Sequence, residues 1–272
     1  MIAMKTKIQE KTSLLEALQG LSPDSSKNTL KTWIEHGRVT IDDKAPSSWR
    51  QELLPGQELK VGHRHSFAEE GIKILYEDEY LAVIDKPTKL LTVASLLENE
   101  RTAHSILSNR LKRKVYPVHR LDRDTSGVMM FACTSDAQNR LKEQFAAHTI
   151  ERVYYGVVEG FPSPSKGTWR SYLIEDDYYF VKSSTTGKLA VTHYEVTEKR
   201  GSLSLVKFTL ETGKKNQIRV HSSEAGHPIV GDAKYGARIQ RRRLCLHAHI
   251  LGFYHPFRNK QMRFISPLPA MF

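Results

Sequence analysis

Apolar residues in the first sixty positions recur with helical spacing before giving way to short alternating runs. Ser13-Leu14-Leu15-Glu16 has capping-box spacing and opens an amphipathic helix through Leu18 that ends near Gly20. Ser26 is placed to cap a second helix, with Leu30, Trp33 and Ile34 on one face and Gly37 as its stop. Arg38 to Ile41 then reads as a strand, Asp42-Asp43 as a turn, and Glu58 to Val61 as a strand entered through Pro55-Gly56. The pattern predicts a small α+β domain over residues 10–62, followed by a polar linker at 63–71.

From Ile72 strand signals dominate. Ile72–Tyr76 and Leu81–Ile84 flank the acidic turn Glu77-Asp78-Glu79, and Lys86-Pro87 closes the second run. Ala103–Arg113 is helix-like, and Ser135-Asp136-Ala137-Gln138 caps a helix that buries Ala137, Leu141 and Phe145. Val128–Cys133, Val153–Val158, Val191–Val196 and Leu203–Leu210 read as strands. Strands outnumber helices and connections are short. The expected fold of residues 72–272 is therefore α+β, with a mixed, largely antiparallel sheet flanked by helices.

Charge narrows the partners. The 272 residues hold 41 Lys and Arg against 30 Asp and Glu, a net +11 with a pI near 9.5. Such a surplus points to a polyanion, nucleic acid first, because each phosphate neutralised releases condensed counterions. Cys133 and Cys245 both lie in apolar surroundings, which suits reduced thiols in the cytoplasm better than a disulfide. The first residues lack the apolar core of a signal peptide, and no run of about 18 apolar residues suggests a membrane span. A soluble, cytoplasmic, monomeric protein is expected.

The densest chemistry lies in His119-Arg120-Leu121-Asp122-Arg123-Asp124-Thr125-Ser126-Gly127, a polar interruption between two strand-like runs. Two carboxylates among two arginines fit a salt-bridged loop, and they also fit the acid and nucleophile of a glycosidase. His247, His249 and His255 have no carboxylate or cysteine at metal-ligand spacing, so no metal is expected. Arg241-Arg242-Arg243, with Arg238, reads as a phosphate grip or as a solvated turn.

Three further segments follow the polar motif in order: ERVYYGVVEG from Glu151, TGKKNQIRVHSSEAGHPIVGDAKYG from Thr212 and RLCLHAHILGFYHP from Arg243. From about Ile72 onward this ordered set resembles the RluA type of RNA pseudouridine synthase. The resemblance implies cleavage of the bond between ribose and uracil nitrogen 1, rotation of the base and rejoining at carbon 5. Such an isomerisation involves no redox change, so no cofactor is implied. It assigns the catalytic carboxylate to Asp122 and its cationic partner to Arg219. It makes Tyr154 the active-site tyrosine, able to stack on uracil and relay a proton. Arg120 is implied to fill the gap left by the flipped base. Asp124 becomes a turn former or a partner for Arg123. Two departures stand out: Lys214-Lys215-Asn216 replaces the family's usual arginine, threonine and histidine while keeping positive charge toward RNA, and Thr88-Lys89 stands where a glycine is common.

Ser26-Lys27, Leu30-Lys31, Trp33-Ile34, Gly37, Val39, Leu54-Pro55-Gly56 and Val61 resemble the small RNA-binding domain named after ribosomal protein S-four. The usual opening arginine-leucine-aspartate is replaced by Thr12-Ser13-Leu14. The resemblance implies an RNA face of Lys27, Lys31 and Arg38, although a merely solvated helix face has the same pattern. A structured RNA is the expected partner, 23S ribosomal RNA of the large subunit before transfer RNA. The alternative from another class is a catalytically silent RNA-binding assembly factor.

Overall fold

Each of the two stretches separated by the expected linker closes its own hydrophobic core, giving compact units over residues 1–67 and 68–272. The computed structural model describes residues 2–35, 38–44, 46–62, 71–94, 102–270 and 272. Gly37 and linker residues 63–70 lie outside them.

The first unit comprises β1 (Ile2–Lys7), β2 (Thr12–Ser13), α1 (Leu14–Leu21), α2 (Lys27–Glu35), β3 (Val39–Ile41), β4 (Glu52–Leu53) and β5 (Glu58–Gly62). Ser13 and Glu16 form the expected reciprocal cap on α1, which fixes where the helix begins. Leu14, Leu18, Leu30, Val39, Leu59 and Val61 meet in one core. Strand β1 starts before the expected boundary at residue 10 and pairs antiparallel with β5, making the sheet order β1-β5-β3. Its alternation was easy to overlook, since half-buried Met4 and Thr6 alternate with exposed lysines and carry little hydrophobic contrast.

The second unit comprises β6 (Lys73–Glu77), β7 (Leu81–Lys86), α3 (Ala103–Leu111), β8 (Tyr116–Pro117), β9 (Ser126–Ala132), α4 (Ser135–Ala146), β10 (Glu151–Glu159), β11 (Lys166–Glu175), β12 (Val181–Ser184), β13 (Lys188–Arg200), β14 (Leu203–Leu210), α5 (Gln217–Glu224), β15 (Leu246–Tyr254) and β16 (Gln261–Ile265). The described strands form an eleven-stranded sheet in the order β12-β11-β13-β14-β10-β15-β9-β7-β6, with β16 on β15 and β8 on β9. All pairings are antiparallel except β15 with β9, where His247 faces Ser126 and Ala248 faces Gly127. That junction requires glycine. Gly127 has φ +118°, and a Cβ there would lie 2.1 Å from the Ala248 carbonyl oxygen.

Two cores lie on either side of this junction, one around Val158, Val206 and Phe208, the other around Val83, Met130 and Leu141. Helix α4 is capped by Thr134, whose hydroxyl accepts the Ala137 N–H, rather than by Ser135. Strands β11, β12, β15 and β16 and helix α5 were not apparent from periodicity. Gln217, Arg219, His221 and Ser222 of α5 are buried polar residues, so this helix has no apolar stripe to betray it. No helix among the described residues is long and apolar enough to cross a membrane.

Candidate active site

The motif loop leaves β8 and enters β9, and its carbonyl groups are accounted for one after another. Thr92 Oγ1 donates to Leu121 O at 2.8 Å, Thr125 N to Asp122 O at 3.2 Å, Lys86 Nζ to Arg123 O at 3.2 Å, and Thr88 Oγ1 to Asp124 O at 2.7 Å. Three of these four donors belong to residues 86–92. Buried Lys86 also donates to the carbonyls of Pro87 and Leu90, so its three N–H groups face three acceptors. Burial pulls this ammonium down to about 7, against the pull of Asp122 and Asp124. Asp124 therefore enters the site through its backbone carbonyl, and no pair with Arg123 is present among the described residues.

So pinned, the loop presents Asp122 to a cavity of about 350 Å³. Arg120, Tyr154, Lys214, Lys215 and Arg219 line the same cavity, together with Arg152, His119 and Phe145. Asp122 is the one carboxylate among the described lining residues. Burial raises its carboxyl above the usual carboxylate range despite the opposing pull of Arg219, Arg120 and Lys86. The expected Arg219–Asp122 ion pair is present, at the long end of ion-pair distance. Arg219 Nη1 lies 3.7 Å from Asp122 Oδ2, whereas Nε and Nη2 donate to the two oxygens of Asp232 at 2.7 Å each. Arg219 is thus oriented by Asp232 and reaches Asp122 by field more than by hydrogen bond.

Helix α5 is set to make this possible. Asn216, at φ +54°, begins the helix; its Oδ1 accepts from Arg219 and its Nδ2 donates to the Tyr235 hydroxyl. Asparagine tolerates the left-handed region, which gives this departure from the usual family residue a structural reason. Gln217 accepts from Thr212 and Lys214 N and donates to Val191 O and Thr192, locking the helix onto β13.

Tyr154 faces the cavity from β10, and burial pushes its phenol up to about 12, so it remains a hydroxyl donor. Tyr155, on the other face, meets His249 edge-on at 5.1 Å. His119 accepts the Met130 N–H through Nε2 at 3.1 Å, stacks on Phe145 at 4.9 Å, and is driven by burial to about 3. It is therefore a neutral ring bearing its proton on Nδ1. Arg120 is exposed at the rim. Lys215 pairs with Glu175 and lies 5.3 Å over the Tyr179 ring.

The remaining expected residues are placed elsewhere. Lys27 is exposed at the start of α2, Lys31 Nζ lies 4.0 Å over the Trp49 ring, and Arg38 donates to Gly62 O and stacks on Trp33. His247 and His249 both face the Ser266 carbonyl, while His255 meets Asp78 at 2.8 Å. Arg243 turns inward to Ser126 and the Leu246 carbonyl, leaving Arg238, Arg241 and Arg242 exposed. Asp232, Lys86, Thr88 and Thr92 were missed as site residues. Asp232 stands in the Gly231-Asp232 pair and the other three follow or belong to Lys86-Pro87, but their partners are distant in sequence.

A carboxylate facing a tyrosine among cations, in a cavity of small-molecule size, defines an enzyme site suited to a nucleoside. The sequence profile described as RNA pseudouridylate synthase matches residues 80–224, and the chain belongs to this family of isomerases. Among its relatives, ribosomal large subunit pseudouridine synthase D of Neisseria meningitidis serogroup A is 34% identical, covering 93% of this chain and 74% of that protein. An uncharacterized RNA pseudouridine synthase of Bacillus subtilis is 33% identical, covering 90% and 87%. The solved structure of human RNA pseudouridylate synthase domain containing 4 superposes with a TM-score of 0.62 at 26% identity, covering 73% and 89%.

Proposed function

We propose that this chain converts specific uridines of large-subunit (23S) ribosomal RNA to pseudouridine in the cytoplasm, with Asp122 as the catalytic carboxylate. The observation that carries the assignment is the solitary position of Asp122 among the described cavity residues, within reach of Arg219 and beside Tyr154. A glycosidase pair would need a second carboxylate across the cavity, and Asp124 does not line it. Tyr154 stacks on the flipped uracil and keeps its hydroxyl proton available, while Arg120 occupies the vacated place in the RNA stack. Detached uracil stays between these groups and is rejoined through carbon 5.

The ribosomal target is supported by relatives named for the large subunit. The N-terminal unit adds RNA contact through Lys27, which projects freely into solvent, more than through Lys31 and Arg38, which lie against tryptophan rings. Purified protein is incubated with transcribed large-subunit RNA, and pseudouridine is mapped by carbodiimide labelling and primer extension. Wild type is expected to mark discrete uridines, and Asp122→Asn to fall by roughly 10³-fold or more. Full activity in Asp122→Asn would refute the role, and release of free uracil would favour the glycosidase.

A further inference from the structure

Of the two buried guanidinia that line the cavity, Arg152 is the one to which the described protein offers no carboxylate. It is 8% exposed, yet no carboxylate lies within ion-pair distance among the described residues. Nη2 donates to the carbonyls of Leu210 and Glu211, at 3.3 and 2.9 Å, and Nε is buried without a partner. Nη1 points toward Gly213, where an added Cβ would approach within 2.6 Å. The absence of a side chain at Gly213 therefore keeps the approach to Nη1 open. Phe145 lies 5.6 Å from the guanidinium carbon.

A buried cation held by two carbonyls and one aromatic face is incompletely compensated, and an arriving anion would complete it. Strand β10 adds the geometric argument. Arg152 and Tyr154 are two residues apart, both line the cavity, and the strand spacing between them is roughly 6–7 Å. That suits a nucleotide whose base rests on the ring while its backbone reaches the guanidinium.

We infer that Arg152 is a phosphate site, its Nη1 donating to a phosphodiester oxygen of the nucleotide whose base lies on Tyr154. The inference rests on the RNA-modifying reading above. Arg152 is a positioning residue: it anchors the nucleotide so that the glycosidic bond meets Asp122, and takes no part in bond breaking. Gly213 belongs to the same device.

The test measures binding of transcribed large-subunit RNA across a potassium chloride series, with folding followed by circular dichroism. Arg152→Gln is expected to weaken binding roughly ten- to hundred-fold near physiological salt. It should also flatten the slope of log affinity against log salt by about 0.7–1, the signature of one lost phosphate contact. Arg152→Lys should restore most of that slope. Gly213→Ala keeps the arginine but crowds Nη1; because Gly213 is outside the left-handed region, the variant also serves if Arg152→Gln misfolds. It should shift affinity and slope in the same direction.

A wild-type slope in folded Arg152→Gln or Gly213→Ala overturns the inference, as does weaker binding with an unchanged slope, which would mark a contact to a neutral uracil carbonyl. Activity separates this result from the parent reading. Wild-type protein that binds the RNA but makes no pseudouridine would defeat the proposed function, while the salt slopes would still decide the Arg152 assignment.

Discussion

Of the three guanidinia that line the cavity, two are buried alike, Arg152 and Arg219, and the surroundings treat them oppositely. Arg219, on α5, gives two hydrogen bonds to Asp232 and a third to Asn216. Arg152, on β10, has only two backbone carbonyls and a buried Nε without a partner. The first wall is complete before substrate arrives and holds a charge at a fixed place beside Asp122. The second is electrostatically open and is completed by what binds. Preorganised charge suits chemistry because no reorganisation is needed in the transition state. Unanswered charge suits capture of an anionic substrate.

Removing Asp232 is the strongest way to break this contrast. Asp232→Ala should leave Arg219 with only Asn216 and the more distant Asp122 as partners and destabilise the protein by about 3 kcal/mol, a fall in Tm on the order of 10 °C by thermal melting. Arg219 would then be free to approach Asp122. With the competing carboxylate gone as well, Asp122 should ionise more readily, and the acid limb of residual kcat/KM should move to lower pH. Arg152→Gln should behave differently: without RNA its Tm should stay within a few degrees of wild type, because the lost carbonyl contacts are offset by relief of a buried charge. Equal losses in the two variants would abolish the distinction between the walls.

Lys86→Met tests the loop that carries Asp122. The substitution retains bulk but removes three donors from the carbonyls of Pro87, Leu90 and Arg123. A cost of about 2–3 kcal/mol is expected, reduced by no longer burying an ammonium. Because Arg123 adjoins Asp122, kcat should fall more than KM rises. A change confined to KM would show that the pinned loop serves binding alone.

The contrast between the walls also explains what was legible in the sequence. Asp122, Tyr154 and Arg219 stand in short contiguous motifs, and all three line the cavity. The residues that hold them are scattered: Thr92 reaches back to Leu121, and Asp232 crosses thirteen positions to Arg219. Such partners have no periodicity, since each depends on where distant strands meet. The same reason hid α5, whose buried face is polar, and β15, where the buried polar His247 breaks the apolar alternation. Strands with dense apolar alternation, such as β14, were readable because burial and sequence pattern coincide there.

Asp122 itself links stability to pH. Burial raises its folded carboxyl above the unfolded value of about 3.9. Between those two values the folded state binds more protons than the unfolded state, so stability falls as pH rises through that interval. Asp122→Asn removes this dependence. Its Tm should match or fall below wild type in acid and exceed it at neutral pH by a few degrees at most, while isomerisation is lost. With the ionised carboxylate as the proposed active form, the acid limb of wild-type activity should lie above the ordinary aspartate range. A limb at or below about pH 4 would show that Arg219 outweighs burial after all.

The smallest expected effect concerns Lys89, within the 86–92 segment that pins the motif loop. It is exposed and has φ +61°, in the left-handed region that favours glycine. Lysine there bears a backbone strain of roughly 1–2 kcal/mol that glycine avoids, partly offset by glycine's greater freedom in the unfolded chain. Lys89→Gly should therefore stabilise the protein by about 0.5–1 kcal/mol, or about 1–4 °C in Tm, with the carbonyl contacts of Lys86 intact. Activity at saturating RNA should be unchanged, because the side chain is absent from the described cavity lining. A loss of stability would mean that residues 86–92 depend on the lysine side chain rather than tolerating its strain.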